Sequence, residues 1–179
     1  MYNLANLQLL PALRLPGCPI CRLRNECETR FLDRLLLERV NDAETREHLA
    51  ASLGFCPKHT WEMGLIDLET YSEPVKNSML YEFLVKYMLS RLTRYRKSEI
   101  SKERGARGRL RRLFGDNRSF PFERDPFAQV ISEECCVCRL GEQDEAFYLR
   151  CLLAGFGEED NEVREAYRES EGLCLYHFR

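Results

Sequence analysis

The 179-residue sequence lacks several features that define specialised classes of protein. No hydrophobic run approaches the roughly 18 apolar residues that a membrane-spanning helix needs. Glycine (10) and proline (7) are too few for a collagen-like or low-complexity chain. The apolar start, residues 1–13, has no positive charge ahead of its hydrophobic part, which argues against a secretory signal. A net charge of −2 by itself indicates neither nucleic acid nor membrane as a partner.

Cysteine, in contrast, is abundant, with nine residues in the chain. A small secreted protein would use so many cysteines for disulfides. This chain is longer than such proteins, its number of cysteines is odd, and no secretory signal is predicted. In a reducing compartment the same abundance indicates metal binding or redox chemistry. We therefore expect a cytoplasmic protein with a metal or thiol site.

The cysteines belong to an internal repeat. Cys18-Pro-Ile-Cys21 is followed by Cys56-Pro-Lys-His59, and Cys135-Cys-Val-Cys138 is followed by Cys174-Leu-Tyr-His177. Cys21 and Cys56 are 35 positions apart, and Cys138 and Cys174 are 36 apart. Residues between the motifs also match at a nearly constant offset, for example Glu28 with Glu145, Phe31 with Tyr148 and Leu35 with Leu152. One CxxC is a weak signal, but a CxxC and a CxxH repeated at matched spacing are a strong one.

Hydrophobic periodicity predicts that each repeat is a helical hairpin. Apolar residues recur every three or four positions over about 22–39, Asp42 can cap a second helix, and Gly54 can end it. In the second copy we expect helices over 142–153 and 160–171, separated by a break at 155–157. A short helix should continue past His59 through Trp61, which we expect in the core.

A long helix should connect the two repeats. Ser72 marks its expected start, and its core stripe comprises Leu80, Leu84, Met88, Leu92 and Tyr95. No alternating strand pattern is present, so the predicted fold is all-α, with two zinc-stapled hairpins joined by the long helix. The predicted domains are residues 1–66, 67–130 and 131–179.

The repeated motifs predict two zinc sites. A CxxC turn and a CxxH turn each offer two ligands on one side of a tight loop, and together they complete a Cys3His tetrahedron. Because a hairpin returns the chain, we expect each site within its own repeat: Cys18, Cys21, Cys56 and His59 in one, and Cys135, Cys138, Cys174 and His177 in the other. Four protein ligands leave no open position, which predicts structural zinc and no enzyme activity.

Each predicted site would carry a net negative charge, because three thiolates outweigh the ion. A nearby cation or backbone N–H would offset that charge. Arg22, Arg46, Arg139 and Arg164 follow the repeat and are candidates, although pairing with surface glutamates explains them equally well.

Two other functions stay open. Residues 86–118 contain twelve Lys or Arg and three acidic residues, so this stretch could bind nucleic acid; a solvated helix that balances the acidic repeats is the simpler interpretation. The thiols could instead hold an iron–sulfur cluster or act in redox chemistry. The remaining cysteines, Cys27, Cys136 and Cys151, do not follow the repeat and are interpreted as core or incidental.

The strings CPICRL and GFCPKHTW, with GLCLYHF near the end, resemble a family of uncharacterised bacterial proteins, a domain of unknown function. The resemblance implies a soluble, mostly helical, cytoplasmic chain without an assigned activity. The predicted function is a structural zinc-binding helical protein acting as an interaction or adaptor module. Its partner would be another protein, and homo-oligomerisation is left open.

Overall fold

The computed structural model describes residues 2–72, 75–110, 134–157 and 162–179, with the side chains of 2–5 and 98–110 outside that description. Within these ranges the chain forms eight α-helices and no strand, which confirms the all-α prediction. The helices are α1 (Tyr2–Leu13), α2 (Pro19–Arg34), α3 (Ala43–Ser52), α4 (Pro57–Tyr71), α5 (Val75–Leu110), α6 (Cys136–Gly157), α7 (Glu162–Glu169) and α8 (Leu175–Phe178), and a π-helical turn, Leu35–Arg39, extends α2.

The pairing of α2 with α6 is the centre of the fold. Arg24 of α2 contacts Glu145 of α6, and Glu28, one turn further along α2, lies beside Gly141, one turn back along α6. The two helices therefore run in opposite directions. This places the N-terminus of each helix beside the C-terminal half of the other.

Two hydrophobic clusters hold the helices together. The first contains Leu13 of α1 and Leu23 of α2 with Leu152 of α6 and Val163 of α7. The second contains Leu36 and Leu49 with Met63 of α4, Leu84 of α5 and Val137 of α6. Both clusters combine residues that precede residue 66 with residues that follow residue 131. The predicted domain boundaries stay predictions.

Local signals position the elements of the first repeat as expected. Asp42 caps α3, because its Oδ2 accepts hydrogen bonds of 2.9 Å from both the backbone N–H and the hydroxyl of Thr45. Helix α3 ends with Leu53 in the left-handed region, followed by Gly54 at φ +108°. The N–H of Gly54 donates to the carbonyl of Leu49, which satisfies one of the last carbonyls of the helix.

Three helix boundaries differ from the sequence prediction, two in the second repeat and one at the long connecting helix. Helix α6 begins at Cys136 rather than at 142, because the CxxC segment itself is helical. It also continues through the expected break to Gly157, with Gly155 buried, so tertiary packing outweighs the low helix propensity of glycine. Ser72 does not start α5; it ends α4 in the left-handed region at φ 60°, and α5 starts at Val75.

The prediction that Trp61 lies in the core is wrong, because its side chain is 75% exposed. On α4 the buried residues are His59, Met63 and Asp67, which recur every four positions along one face. Trp61 lies two positions from His59, about 200° around the helix, and so points away from that face.

The long connecting helix is confirmed, but its predicted core stripe is buried only at its first two positions. Leu80 and Leu84 are buried, whereas Leu92 is 38% exposed, because the helix continues past the second hydrophobic cluster. Among the described helices, none combines the length and hydrophobicity that crossing a membrane would require.

Candidate metal centre

All eight predicted ligands lie in two compact clusters, but the clusters combine the repeats crosswise. The first cluster consists of Cys18 and Cys21 from the first CxxC with Cys174 and His177 from the second CxxH. The second cluster consists of the first CxxH and the second CxxC, that is Cys56, His59, Cys135 and Cys138. The prediction that each repeat closes its own site is therefore wrong.

The place where the chain meets α2 again accounts for the crosswise pairing. Helix α3 packs mainly on α5, and the chain next meets α2 at Glu28, which lies beside His59. Glu28 is ten residues along the chain from Cys18, about 15 Å at 1.5 Å per residue. Cys56 and His59 therefore lie near the middle of α2 instead of at its N-terminus.

In the first cluster the ring of His177 faces three thiols. Its Nδ1 lies 3.4 Å from the Sγ of Cys18, 3.3 Å from that of Cys21 and 3.2 Å from that of Cys174. The Sγ atoms of Cys21 and Cys174 are 3.7 Å apart.

The second cluster has the same arrangement. The Nδ1 of His59 lies 3.2 Å from the Sγ of Cys56, 3.5 Å from that of Cys135 and 3.4 Å from that of Cys138. The Sγ atoms of Cys56 and Cys138 are 3.6 Å apart. In each cluster all four ligand atoms lie within 4.8 Å of one another.

These separations fit one tetrahedral ion. With Zn–S bonds of about 2.3 Å and Zn–N bonds of about 2.05 Å, a zinc ion holds its sulfurs about 3.8 Å apart and each sulfur about 3.6 Å from the nitrogen. The observed sulfur–sulfur and sulfur–nitrogen distances are shorter than these values by a few tenths of an ångström at most. A disulfide would require sulfurs about 2.05 Å apart, and all nine cysteines are free. The two clusters could therefore each hold a metal ion.

Helix N-termini position most of the ligands. Cys18, Cys56 and Cys174 are the N-cap residues of α2, α4 and α8, and proline occupies the next position in α2 and α4. A thiolate at a helix N-terminus is stabilised by the helix dipole and by free backbone N–H groups. At Cys174 the backbone N–H of His177 is the main cause that lowers the pKa of the thiol to about 6.

Burial acts in the opposite direction on the second thiol of each CxxC. It raises the pKa of Cys21 to about 12, with a further contribution from the neighbouring Cys174 thiol. It raises the pKa of Cys138 to about 12 as well, with the neighbouring Cys56 thiol adding to the effect. Without an ion these thiols hold their protons at neutral pH, and ion binding must release them.

A carboxylate stands behind each histidine, fully buried at Glu28 and 14% exposed at Glu145. The Nε2 of His59 lies 3.1 Å from Oε2 of Glu28, and the Nε2 of His177 lies 3.3 Å from Oε1 of Glu145. The atoms are close, although neither pair has the alignment of a hydrogen bond. A metal-binding histidine characteristically directs its second nitrogen to such a carboxylate, which fixes the tautomer and the ring orientation.

Cations neutralise these carboxylates. Burial by itself would raise the pKa of Glu28, but hydrogen bonds from Lys58 and Arg24 and the closeness of the His59 ring outweigh it and hold the pKa at about 2. Glu28 is fully buried, and it stays ionised because these partners replace the water it lost. Glu145 receives a 2.6 Å hydrogen bond from Arg24.

The sequence prediction proposed other cations. Arg22 donates to the carbonyl of Pro16, and Arg46 donates to the carbonyl of Val40 and the side chain of Asn41. Arg139 lines an open groove beside α3, and no described contact places Arg164 at either cluster. The residues that the prediction missed are Arg24, Lys58 and the two glutamates. A signal existed, because Glu28 and Glu145 match in the repeat, and each lies beside the histidine of a cluster.

Cys27, Cys136 and Cys151 lie outside both clusters, as expected from their absence from the repeat. Glu28, His59 and Glu62 form a third group of close acidic and imidazole atoms. This group shares His59 with the second cluster and reflects the placement of Glu28 behind that ring.

Much of the basic stretch 86–118 lies outside the described side chains; within the described part, Lys86 pairs with Glu82.

Comparisons with known proteins give a family and no function. Residues 13–179 match the model of a protein family of unknown function. No curated protein matches the chain, and no solved structure matches it.

Proposed function

Because this chain belongs to the DUF6062 family, a family of unknown function, we propose its function from the geometry of the two clusters. The protein binds two structural zinc ions, one in each cluster, and uses them to lock its helices into a module for protein interaction. The observation that supports this proposal above all is the pair of Cys3His quartets, each with three sulfurs around one imidazole nitrogen at distances that suit a single ion.

The composition of the clusters favours zinc. Three thiolates and one imidazole are a common ligand set of structural zinc sites. An iron–sulfur cluster spreads its four protein ligands over two or more irons, which places some of them farther apart than the 4.8 Å within which all four ligand atoms of each cluster lie. With four protein ligands the ion has no open position for substrate or water, so we expect no Lewis-acid catalysis and no enzyme activity.

The crosswise ligands give the ions a specific structural task. The first ion would tie residues 18 and 21 to residues 174 and 177, and the second would tie residues 56 and 59 to residues 135 and 138. Each ion would therefore join segments that are far apart in the chain. Structural zinc contributes on the order of 10 kcal/mol of apparent binding free energy, which becomes folding free energy when the apo site is not preformed.

The interaction role has support from the exposed apolar face of α4. Trp61 is 75% exposed, and Leu65 and Leu68 are each 53% exposed. They lie at positions i, i+4 and i+7, so they share one side of the helix. An exposed apolar stripe of this kind is typical of a protein-binding surface.

Alkylation of the cysteines in a His59→Ala variant tests the zinc assignment and its crosswise pairing together. Protein purified without added metal should contain two zinc ions per chain, and His59→Ala should contain one. Mass spectrometry after maleimide treatment should show newly modified Cys56, Cys135 and Cys138, while Cys18, Cys21 and Cys174 stay protected.

The matched variant His177→Ala should give the reverse pattern, and His48→Ala, a histidine outside both clusters, should leave the metal content unchanged. New modification of Cys18 and Cys21 in His59→Ala, with Cys174 still protected, would show ligation within each repeat instead. Iron in place of zinc would support the redox alternative, and protein without metal would refute the proposal. The nucleic-acid alternative predicts binding to DNA at low salt that weakens steeply as salt is added.

A further inference from the structure

A continuous row of five side chains joins the two clusters. The row runs from His59 to Glu28, then to Arg24, Glu145 and His177. Its central contacts are short: Arg24 Nε donates to Oε1 of Glu28 at 2.9 Å, and a terminal nitrogen of Arg24 donates to Oε2 of Glu145 at 2.6 Å. The terminal members of the row are the two imidazole ligands.

Each carboxylate in the row has separate oxygens for its two neighbours. Glu28 presents Oε1 to Arg24 and Oε2 to His59, while Glu145 presents Oε2 to Arg24 and Oε1 to His177. When Arg24 holds one oxygen of a carboxylate in place, the position of the other oxygen beside the histidine is therefore set as well. The side chains of Glu28, Glu145 and Arg24 are 0%, 14% and 22% exposed, so water screens these contacts only in part.

Only one arginine fits at this place. The residue that matches Arg24 in the second repeat is Gly141, at the same offset that relates Glu28 to Glu145. A Cβ on Gly141 would lie 2.3 Å from Oε1 of Glu28 and 3.1 Å from Nε of Arg24. The glycine thus leaves the space that the single guanidinium and the Glu28 carboxylate occupy.

We propose that Arg24 is a positioning residue that couples zinc binding at the two clusters. The inference rests on the proposed zinc sites and adds that they do not fill independently. An ion bound to Nδ1 of one histidine fixes that ring and hence the carboxylate behind it. The carboxylate holds the guanidinium, which places the second carboxylate behind the other histidine. Each ion therefore lowers the ordering cost of the other, and by linkage the effect is mutual.

The two ends of the row differ in their remaining support. Glu28 also contacts Lys58, whereas the described contacts of Glu145 in this row are with Arg24 and His177. Loss of Arg24 leaves Glu28 with one cation. The same loss removes the cation that orients Glu145. Zinc binding at the first cluster should therefore weaken more than zinc binding at the second.

The coupling is measured as a cycle of four proteins: the natural chain, His59→Ala, Arg24→Met and the double variant. Zinc buffers set the free ion concentration, and maleimide protection of Cys18, Cys21 and Cys174 reports occupancy of the first cluster alone. With Arg24 present, disabling the second cluster should weaken the first by about fivefold or more. In the Arg24→Met background, His59→Ala should change the zinc affinity of the first cluster by less than about twofold. Arg24→Met alone should already lower that affinity by about tenfold relative to the natural chain.

Arg24→Lys keeps the charge but has no planar fork to reach both carboxylates, so it should also lose the coupling. Arg150→Met, which removes a guanidinium bonded to the carbonyl of Ala146, should keep it. Circular dichroism of each zinc-loaded variant shows whether the helices persist; for a variant that unfolds, Arg24→Gln takes its place.

Equal coupling with and without Arg24, in folded proteins, would overturn the inference. So would two clusters that fill independently in the natural chain, although the proposed function would then stand. Absence of zinc from the natural chain would refute the proposed function itself.

Discussion

His59 and His177 each use both ring nitrogens. Nδ1 faces three thiols, and Nε2 faces a carboxylate that is held by Arg24. A cysteine can ligate through its sulfur wherever the thiol is placed, but an imidazole must also be oriented. The glutamates therefore matter as much to the geometry as the ligands that the motifs reveal.

At this scale Gly141→Ala should be destabilising. The new methyl group would displace the Glu28 carboxylate, which cannot move freely because Arg24, Lys58 and His59 surround it. We expect a loss of about 1–3 kcal/mol in the free energy of unfolding, as for overpacking elsewhere in protein cores, and weaker zinc binding in the second cluster. Thermal melts and zinc competition measure the two effects.

Gly157→Ala is the matched control, because a Cβ at Gly157 meets no described side chain beyond its chain neighbours within 4 Å. Alanine also favours the helical conformation, so stability should stay constant or rise by at most about 1 kcal/mol. If Gly141→Ala were as stable as this control, the close approach of Gly141 to Glu28 would be incorrect.

At the scale of elements, the direction of α6 decides which CxxC motif meets which CxxH motif. After α3 the chain meets α2 again near Glu28, and the antiparallel α6 presents its N-terminus there. Helix α3 connects α2 to Cys56 and His59, so its stability supports their approach to the second cluster.

Asp42 is the residue that starts α3, and its replacement should lower the melting temperature by a few degrees. The hydrogen bond from the backbone N–H of Thr45 lowers the pKa of the Asp42 carboxyl. A lowered pKa means that the ionised form stabilises the fold above the ordinary pKa of aspartate, and that this contribution disappears as the pH falls through the lowered value. Asp42→Ala should thus differ from the natural chain at neutral pH and converge with it in acid.

Melts of Asp42→Ala and Asp42→Ser across this pH range check the prediction. Serine can accept the same backbone hydrogen bond and should restore most of the loss at neutral pH. A difference between Asp42→Ala and the natural chain that does not change with pH would contradict the role of the carboxylate.

At the scale of the whole molecule, the thiols of the two clusters are half-buried and their histidines are buried, whereas apolar residues of α4 lie on the surface. His59 is fully buried, and Trp61, two residues later, is among the most exposed hydrophobic residues of the described chain. The helix that contributes residues to the second cluster thus also has an exposed apolar stripe.

Trp61 is the single tryptophan of the chain and can report on that surface. In dilute protein we expect the emission of a water-exposed indole, strongly quenched by acrylamide, because three quarters of the side chain is exposed. Binding of a partner, or of a second copy at high concentration, should reduce the quenching.

Leu65→Ser, on the same face of α4, should reduce the protection of Trp61 from acrylamide that binding produces. Leu7→Ser, at an exposed leucine of α1, should leave that protection unchanged. A tryptophan that is already shielded in dilute monomer would contradict the exposed position of Trp61. Shielding that Leu65→Ser leaves unchanged would place the interaction elsewhere.

The sequence by itself determined the helices of the first repeat and the identity of the eight candidate ligands. These depend on local signals: apolar periodicity along α2, the Asp42 cap, the glycine after α3, and the two-residue spacing within each CxxC and CxxH. It placed Trp61 wrongly, because periodicity over one short helix does not tell which face the rest of the chain will cover.

Only the tertiary structure decided which CxxC motif meets which CxxH motif. A repeated pair of motifs can close within each copy or between copies, and the residue types and spacings are the same in both cases. The outcome depends on the return of the chain to α2 near Glu28 and on the antiparallel contact of α2 with α6, which joins residues more than 100 positions apart. The same contact brings Arg24 between Glu28 and Glu145, because the position of a side chain between two helices follows from their packing and not from its neighbours in the chain.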